Sequence, residues 1–137
     1  MCTFKISVAA LLAGMFCLAG VAASAQEPKV TPVMMKNLAD IPGKQLVVVT
    51  VEYAPGEADN PHRHNADAIV YVLEGSVIEQ VKGGKPDTLT AGQTFYEGPN
   101  DIHIVGRNAS QTEPAKLVAI LVKKKGAPAV VPVKPTQ

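Results

Sequence analysis

Gly56-Glu57-Ala58-Asp59-Asn60-Pro61-His62-Arg63-His64, running on through Asn65-Ala66-Asp67 to Ala68-Ile69-Val70-Tyr71-Val72-Leu73-Glu74-Gly75, carries a chemical and an architectural signal together. Side chains alternate across an extended backbone, so His62 and His64 fall on one face while Arg63 points away. Two imidazoles on one face can converge on an ion at roughly 2.0–2.1 Å per nitrogen. The apolar run Ala68–Leu73, closed by Glu74-Gly75, reads as a buried strand ending in a turn. Ala68, Val70 and Val72 share the histidines' parity and are expected to face inward, whereas Tyr71 is expected to face out. The chain's remaining histidine, His103, opens a later strand just after the turn Gly98-Pro99-Asn100-Asp101. A pair of histidines hydrogen-bonding in a loop is the competing reading of the spacing. The placement of all three beside turn glycines favours a metal site.

Outward from this stretch, strand signals fill the sequence. Leu46–Tyr53 is β-branched and stops at Pro55-Gly56; Ser76–Lys82 alternates, with Val77, Glu79 and Val81 on one parity. Gly83-Gly84 turns the chain into Lys85–Leu89, and Ala91-Gly92 precedes Gln93–Tyr96. Ile102–Gly106 and Lys116–Val122 complete the series. No ten-residue stretch after the first segment has a helical apolar period. Many short strands at regular spacing predict a sandwich or a barrel. An immunoglobulin-like sandwich is the main rival, but the chain has no Trp, and its 2 Cys both lie in the first segment. Residues 26–42, with Pro28, Pro32 and Pro42, read as an extended arm lying on the domain or on a partner subunit. Residues 43–125 read as the β-barrel domain and 126–137 as a Pro-rich tail, within which Ala129–Val133 has the composition of an edge strand. Lys123-Lys124-Lys125 reads as solvated.

Residues 1–25 differ from everything after them. Lys5 is the only charge, Ile6–Ala22 is almost unbroken apolar and small sequence, and Ala23-Ser24-Ala25 suits a signal peptidase cutting before Gln26. A membrane anchor is the alternative for an apolar run of this length. Cleavage removes Cys2, Cys17 and Lys5, which excludes thiolate ligands and leaves basic and acidic residues in equal number. The expectation is an exported, periplasmic or secreted protein without disulfides, held together by its core or by oligomerisation. Near-zero charge argues against a nucleic-acid partner or, after cleavage, a membrane surface. Asn108-Ala109-Ser110 matches a glycosylation sequon.

Gly56, five residues, His62-Arg63-His64, then a strand ending at Gly75 resembles the first motif of the cupin superfamily. Gly92, then Phe95-Tyr96-Glu97-Gly98-Pro99-Asn100 and His103, resembles the second. Leu46–Val122 as a whole is similar to a small single-domain cupin of the conserved-barrel type, of the kind labelled quercetin-dioxygenase-like. The resemblance implies an all-β jelly-roll barrel, a metal held by His62, His64 and His103, and a homodimer formed through a sheet face. Two departures stand out. The family's usual Glu ligand, seven residues before the glycine, is Ala68 here, and the adjacent Asp67 has the opposite parity, which leaves Asp67 or solvent to fill the place. Asn100 stands at the position of the second motif's glycine, where a left-handed turn is expected.

Three neutral imidazoles leave the ion's charge uncompensated, which favours an anionic or enolate ligand. Imidazole donors suit a divalent transition metal, iron first, with zinc, nickel, copper or manganese as others. Glu97 and Tyr96, with Gln93 beside them, are the candidate acid–base or hydrogen-bonding groups, whichever parity faces inward. The functional expectation is a metal-dependent, dioxygenase-like enzyme (or a Lewis-acid isomerase or lyase) acting on a small oxygen-chelating molecule of flavonol, diketone or enolate type. The alternative is a periplasmic cupin that binds a small molecule or metal without turnover, favoured by the missing Glu and an apparent shortage of pocket acids and bases.

Overall fold

A computed structural model of the chain describes residues 27–134. The segment read as a signal peptide, Met1–Ala25, lies outside the described residues. The described residues form ten strands: β1 (Lys29–Asn37), β2 (Lys44–Tyr53), β3 (His62–Arg63), β4 (Ala66–Glu74), β5 (Ser76–Val81), β6 (Asp87–Thr90), β7 (Thr94–Glu97), β8 (His103–Asn108), β9 (Ala115–Lys124) and β10 (Val131–Pro132). They form two antiparallel five-stranded sheets, ordered β1-β2-β9-β4-β7 and β10-β3-β8-β5-β6. The fold is the expected all-β jelly roll.

Along β4, Ala66, Ala68, Val70 and Val72 are buried and Asp67, Ile69, Tyr71 and Leu73 are exposed. Each fully buried valine or leucine contributes about 1.5–3 kcal/mol, so a one-residue slip would forfeit the inner row and bury Asp67. β9 lies between β2 and β4, in register from Lys44↔Lys124 to Tyr53↔Ala115 on one side and with Ala68↔Leu121 on the other. One core cluster joins Tyr53, Val70, Val72, Val77, Leu89, Ala115 and Leu117; a second joins Val47, Ala66, Ala68 and Leu121. Gly75, with φ +72°, turns β4 into β5 where a Cβ would lie 2.5 Å from the Pro114 carbonyl oxygen. That close approach requires glycine whatever the turn type.

Three boundaries differ from the expected ones for local reasons. The strand expected at Lys85–Leu89 begins at Asp87, because Pro86 has no N–H for the ladder. The one expected to end at Tyr96 continues to Glu97, whose partner across β4 is Ala68. The arm contains β1, which pairs with β2 from Lys29↔Glu52 to Asn37↔Gln45, its register shifting between Pro32 and Met34. An edge position with a bulge tolerates the proline there.

The tail also enters the fold. Val131 pairs with Arg63 and Pro132 with His62, and Val133 N–H donates to the Pro61 carbonyl. Lys123 is not solvated as expected. It is 4% exposed, and its Nζ donates to Gln45 Oε1 at 3.0 Å and to the Ala127 carbonyl. These bonds tie the start of the tail to the first sheet.

Candidate metal centre

β3 and β8 meet through a single register pair, His62↔His103, which sets two imidazoles opposite each other. His64 follows one residue beyond β3, and Asn65, at φ 48°, turns the chain into β4. Asn is among the few non-glycine residues that accept this left-handed conformation. One nitrogen from each histidine lies within 4.8 Å of the others.

The outer nitrogens fix what the inner ones carry. His62 Nδ1 donates to the Asn60 carbonyl at 2.8 Å, and His64 Nδ1 to the Ala129 carbonyl at 2.7 Å. Both Nε2 atoms therefore present lone pairs, and they face each other at 3.2 Å. His103 Nε2 lies 2.6 Å from Glu79 Oε2, a close contact of imidazole and carboxylate in which neither atom has a partner elsewhere. His103 Nδ1 is turned inward, 3.3 Å from His62 Nε2. Facing lone pairs repel unless a cation lies between them. Ligand nitrogens about 2.0–2.1 Å from one ion are themselves roughly 3.0–3.4 Å apart, which matches the His62–His64 and His62–His103 separations, the three nitrogens together lying within 4.8 Å. The residues thus fit a divalent transition ion, with each imidazole oriented by a backbone or carboxylate acceptor behind it.

Carboxylates surround this triad. Glu97, 3% exposed, places Oε2 at 3.7 Å from His103 Nδ1 and 3.8 Å from His64 Nε2. Burial, with Glu79 and Asp59 nearby, pushes its pKa up to about 7, although His103 pulls the other way. Glu79 is 1% exposed; burial raises its pKa and His103 opposes that shift. For His103, burial acts downward, but the hydrogen bond to Glu79 and the charges of Glu97, Glu79 and Asp59 outweigh it and raise the pKa to about 9. Burial lowers His62, and lowers His64 to about 4. Tyr53, also buried, donates its hydroxyl to Asp59 Oδ2 at 2.6 Å, and burial raises both groups. Gly106 makes room for this cluster. A Cβ there would stand 2.6 Å from His103 Cε1 and 2.7 Å from Asp59 Oδ2.

The triad, Glu97, Glu79, Asp59 and Tyr53 open on a cavity of about 310 Å³ whose other walls include Val49, Val51, Val70, Leu117, Ala119 and Leu121. The sequence reading located His62, His64, His103 and Glu97 here. Tyr96 is corrected: it is 56% exposed on the outer face, its hydroxyl donating to Asp67 Oδ1 at 2.7 Å. Strand alternation allows only one of Tyr96 and Glu97 to face the cavity, and the same bond holds Asp67 away from the histidines. Gln93 bonds the backbone of Thr90 in a turn. Asn100 does not adopt a left-handed conformation; Asp101 Oδ2 accepts from Gly98 N–H and builds the turn instead. Asn108 is fully buried, donating to the carbonyls of Ala54 and Glu113, so the sequon is closed in the folded chain. Three acids and Tyr53 also overturn the expected shortage of acids and bases. Glu79 was legible in principle, since a charge between Val77 and Val81 on an inward parity demands a partner.

A two-sheet jelly roll holding an internal three-histidine cluster defines the class of barrel to which this chain belongs. The family model described as Cupin domain matches residues 49–121, and the chain belongs to that family. No curated protein matches it. Among solved structures it is similar to a conserved double-stranded β-helix protein from Klebsiella pneumoniae, with 23% identity, TM-score 0.62, and 76% of this chain and 84% of that one covered. An oxalate oxidase in complex with glycolate is 24% identical, with TM-score 0.60, over 80% of this chain and 57% of that one. The DMSP lyase DddQ from Ruegeria pomeroyi is 21% identical, with TM-score 0.56, over 64% of this chain and 42% of its own. These likenesses show the fold.

Proposed function

We propose that the protein is a metal-dependent, oxygenase-like enzyme acting on a small oxygen-chelating molecule of enolate, flavonol or diketone type. The observation that carries this reading is the convergence of three imidazoles, each turning one nitrogen towards the others, at the wall of a cavity whose remaining lining is largely apolar and includes the acids Asp59, Glu79 and Glu97. A bound transition ion supplies Lewis acidity that lowers the pKa of a chelating oxygen. His62, His64 and His103 hold that ion, with iron the first choice and zinc, nickel, copper or manganese the others. Val49, Val51, Leu117 and Leu121 exclude water and receive the apolar body of the substrate. The Tyr53–Asp59 pair offers a proton donor and acceptor at the cavity wall. The proteins of like fold include an oxalate oxidase and a DMSP lyase, which supports enzymatic chemistry on a small molecule.

The reading includes export by the Met1–Ala25 leader and a homodimer joined through the outer face of the first sheet. That face exposes Ile69, Tyr71, Leu73 and Tyr96.

Oxygen consumption by the iron-loaded protein, screened over flavonols and β-diketones, tests the activity. Uptake coupled to substrate loss, and absent in His62→Ala/His64→Ala, is expected. Tight binding of these ligands with no product would instead establish the non-catalytic binding module, which the absent carboxylate at Ala68 favours.

A further inference from the structure

We propose that Glu97 is a fourth protein ligand to the ion, its carboxylate reaching from β7 into the place left empty by Ala68 on β4. The assignment rests on the metal reading above and deepens it.

Ala68 and Glu97 are register partners in the antiparallel β4–β7 pair. Such partners project to the same face with Cβ atoms about 4.5–5.5 Å apart, so a carboxylate can be exchanged between them without leaving the site. Ala68 is 1% exposed and too small to occupy that space itself. Donor atoms sharing one ion at about 2.0–2.2 Å lie at most roughly 4.4 Å apart. Glu97 Oε2 meets this limit at 3.7 Å from His103 Nδ1 and 3.8 Å from His64 Nε2.

The carboxylate is also without other employment. Glu79 Oε2 lies against His103 Nε2 and Asp59 accepts from Tyr53, whereas among the described residues the Glu97 carboxylate has only the longer contacts to His103 Nδ1 and His64 Nε2. A buried carboxylate without donors is costly unless a cation faces it. Its aim is fixed from behind, since the strand ends at Glu97 and Asp101 Oδ2 accepts from Gly98 N–H at 2.7 Å. Glu97 is thereby reassigned from acid–base candidate to ligand, leaving Tyr53 and Asp59 as proton-handling groups. A hard oxygen in the donor set also shifts preference towards iron or manganese over copper.

Co²⁺ titration, followed by calorimetry and by the visible absorption of the bound ion, separates this claim from the one beneath it. Glu97→Gln, near-isosteric, is expected to weaken Co²⁺ binding on the order of 100-fold and to change the absorption spectrum, with an unaltered circular dichroism spectrum. Glu97→Ala/Ala68→Glu, which carries the carboxylate back across the pair, is expected to recover affinity to within about tenfold of the parent. If Glu97→Gln keeps the parent affinity and spectrum while His62→Ala/His64→Ala loses the ion, Glu97 is not a ligand and the three-histidine site stands alone. If the unaltered protein takes up no Co²⁺, the metal reading falls and this assignment with it.

Discussion

At His103 two carboxylates address one imidazole, Glu79 at 2.6 Å from Nε2 and Glu97 at 3.7 Å from Nδ1. Together they hold its pKa near 9, although burial alone would lower it. In the metal-free protein this shift contributes stability that is full below the ordinary imidazole pKa and is lost as pH rises through about 9. An ion binding at Nδ1 must displace that proton. Apparent affinity is therefore expected to fall about tenfold per pH unit from pH 9 down to pH 7. Glu79→Gln removes the charge that holds the proton, so the slope over this range flattens, while the lost orientation lowers affinity at high pH by about 10–100-fold. Calorimetric titrations in buffers of different ionisation enthalpy count the protons released; an unchanged count in Glu79→Gln contradicts this account of His103. The histidines were legible because alternation makes His-x-His a statement about one face. Glu97 was legible only as one of two neighbours, since choosing between it and Tyr96 required the β4–β7 register. Asp59 carried no comparable signal. Its place depends on Tyr53 and on the missing side chain at Gly106, which lie elsewhere in the sequence.

Among the elements, the short strands do most to arrange the site. β3 is held between β8 and β10, and the Ala129 carbonyl just before β10 fixes the His64 tautomer. A chain ending at Gly126 is expected to keep its fold, because the clusters around Val72 and Leu121 lie in the longer strands and, among the described residues of the tail, only Ala129 packs against them. The same chain is expected to bind metal about tenfold more weakly, because His64 loses the acceptor that orients it. Circular dichroism with metal titration checks both halves; parent-like affinity would show that the tail is dispensable to the site. The sequence announced β2, β4, β5 and β9 through runs and alternation of apolar residues. It gave β1 only as an extended arm, since all nine of its residues are exposed, whereas β3 lies within the extended His62–His64 stretch and β10 within the edge strand read at Ala129–Val133, each reduced to two residues. Pairing with a preformed sheet, not intrinsic pattern, makes these segments strands.

For the whole molecule, the exposed residues Ile69, Tyr71 and Tyr96 on β4 and β7 form an apolar outer face beside Val118 and Ile120 of β9, their neighbours in register. Exposed apolar faces of this kind mark association sites. With the proposed homodimer formed there, Ile69→Glu/Tyr71→Lys is expected to convert a dimeric light-scattering mass into a monomeric one without altering metal content; a parent that is already monomeric contradicts the dimer. Barrel architecture was legible at this scale because turn glycines, strand spacing and the histidine pair agreed. The balance of charge in the cavity was not, since it is set by residues from β2, β3, β5, β7 and β8 that only the closed barrel brings together. The central claim, that His62, His64 and His103 hold a transition ion, is tested most directly by elemental analysis of the untagged protein beside His62→Ala/His64→Ala. The account predicts about one equivalent of iron, manganese, nickel, copper or zinc, lost in the variant. No stoichiometric metal in the parent, even after reconstitution with each ion, would contradict it.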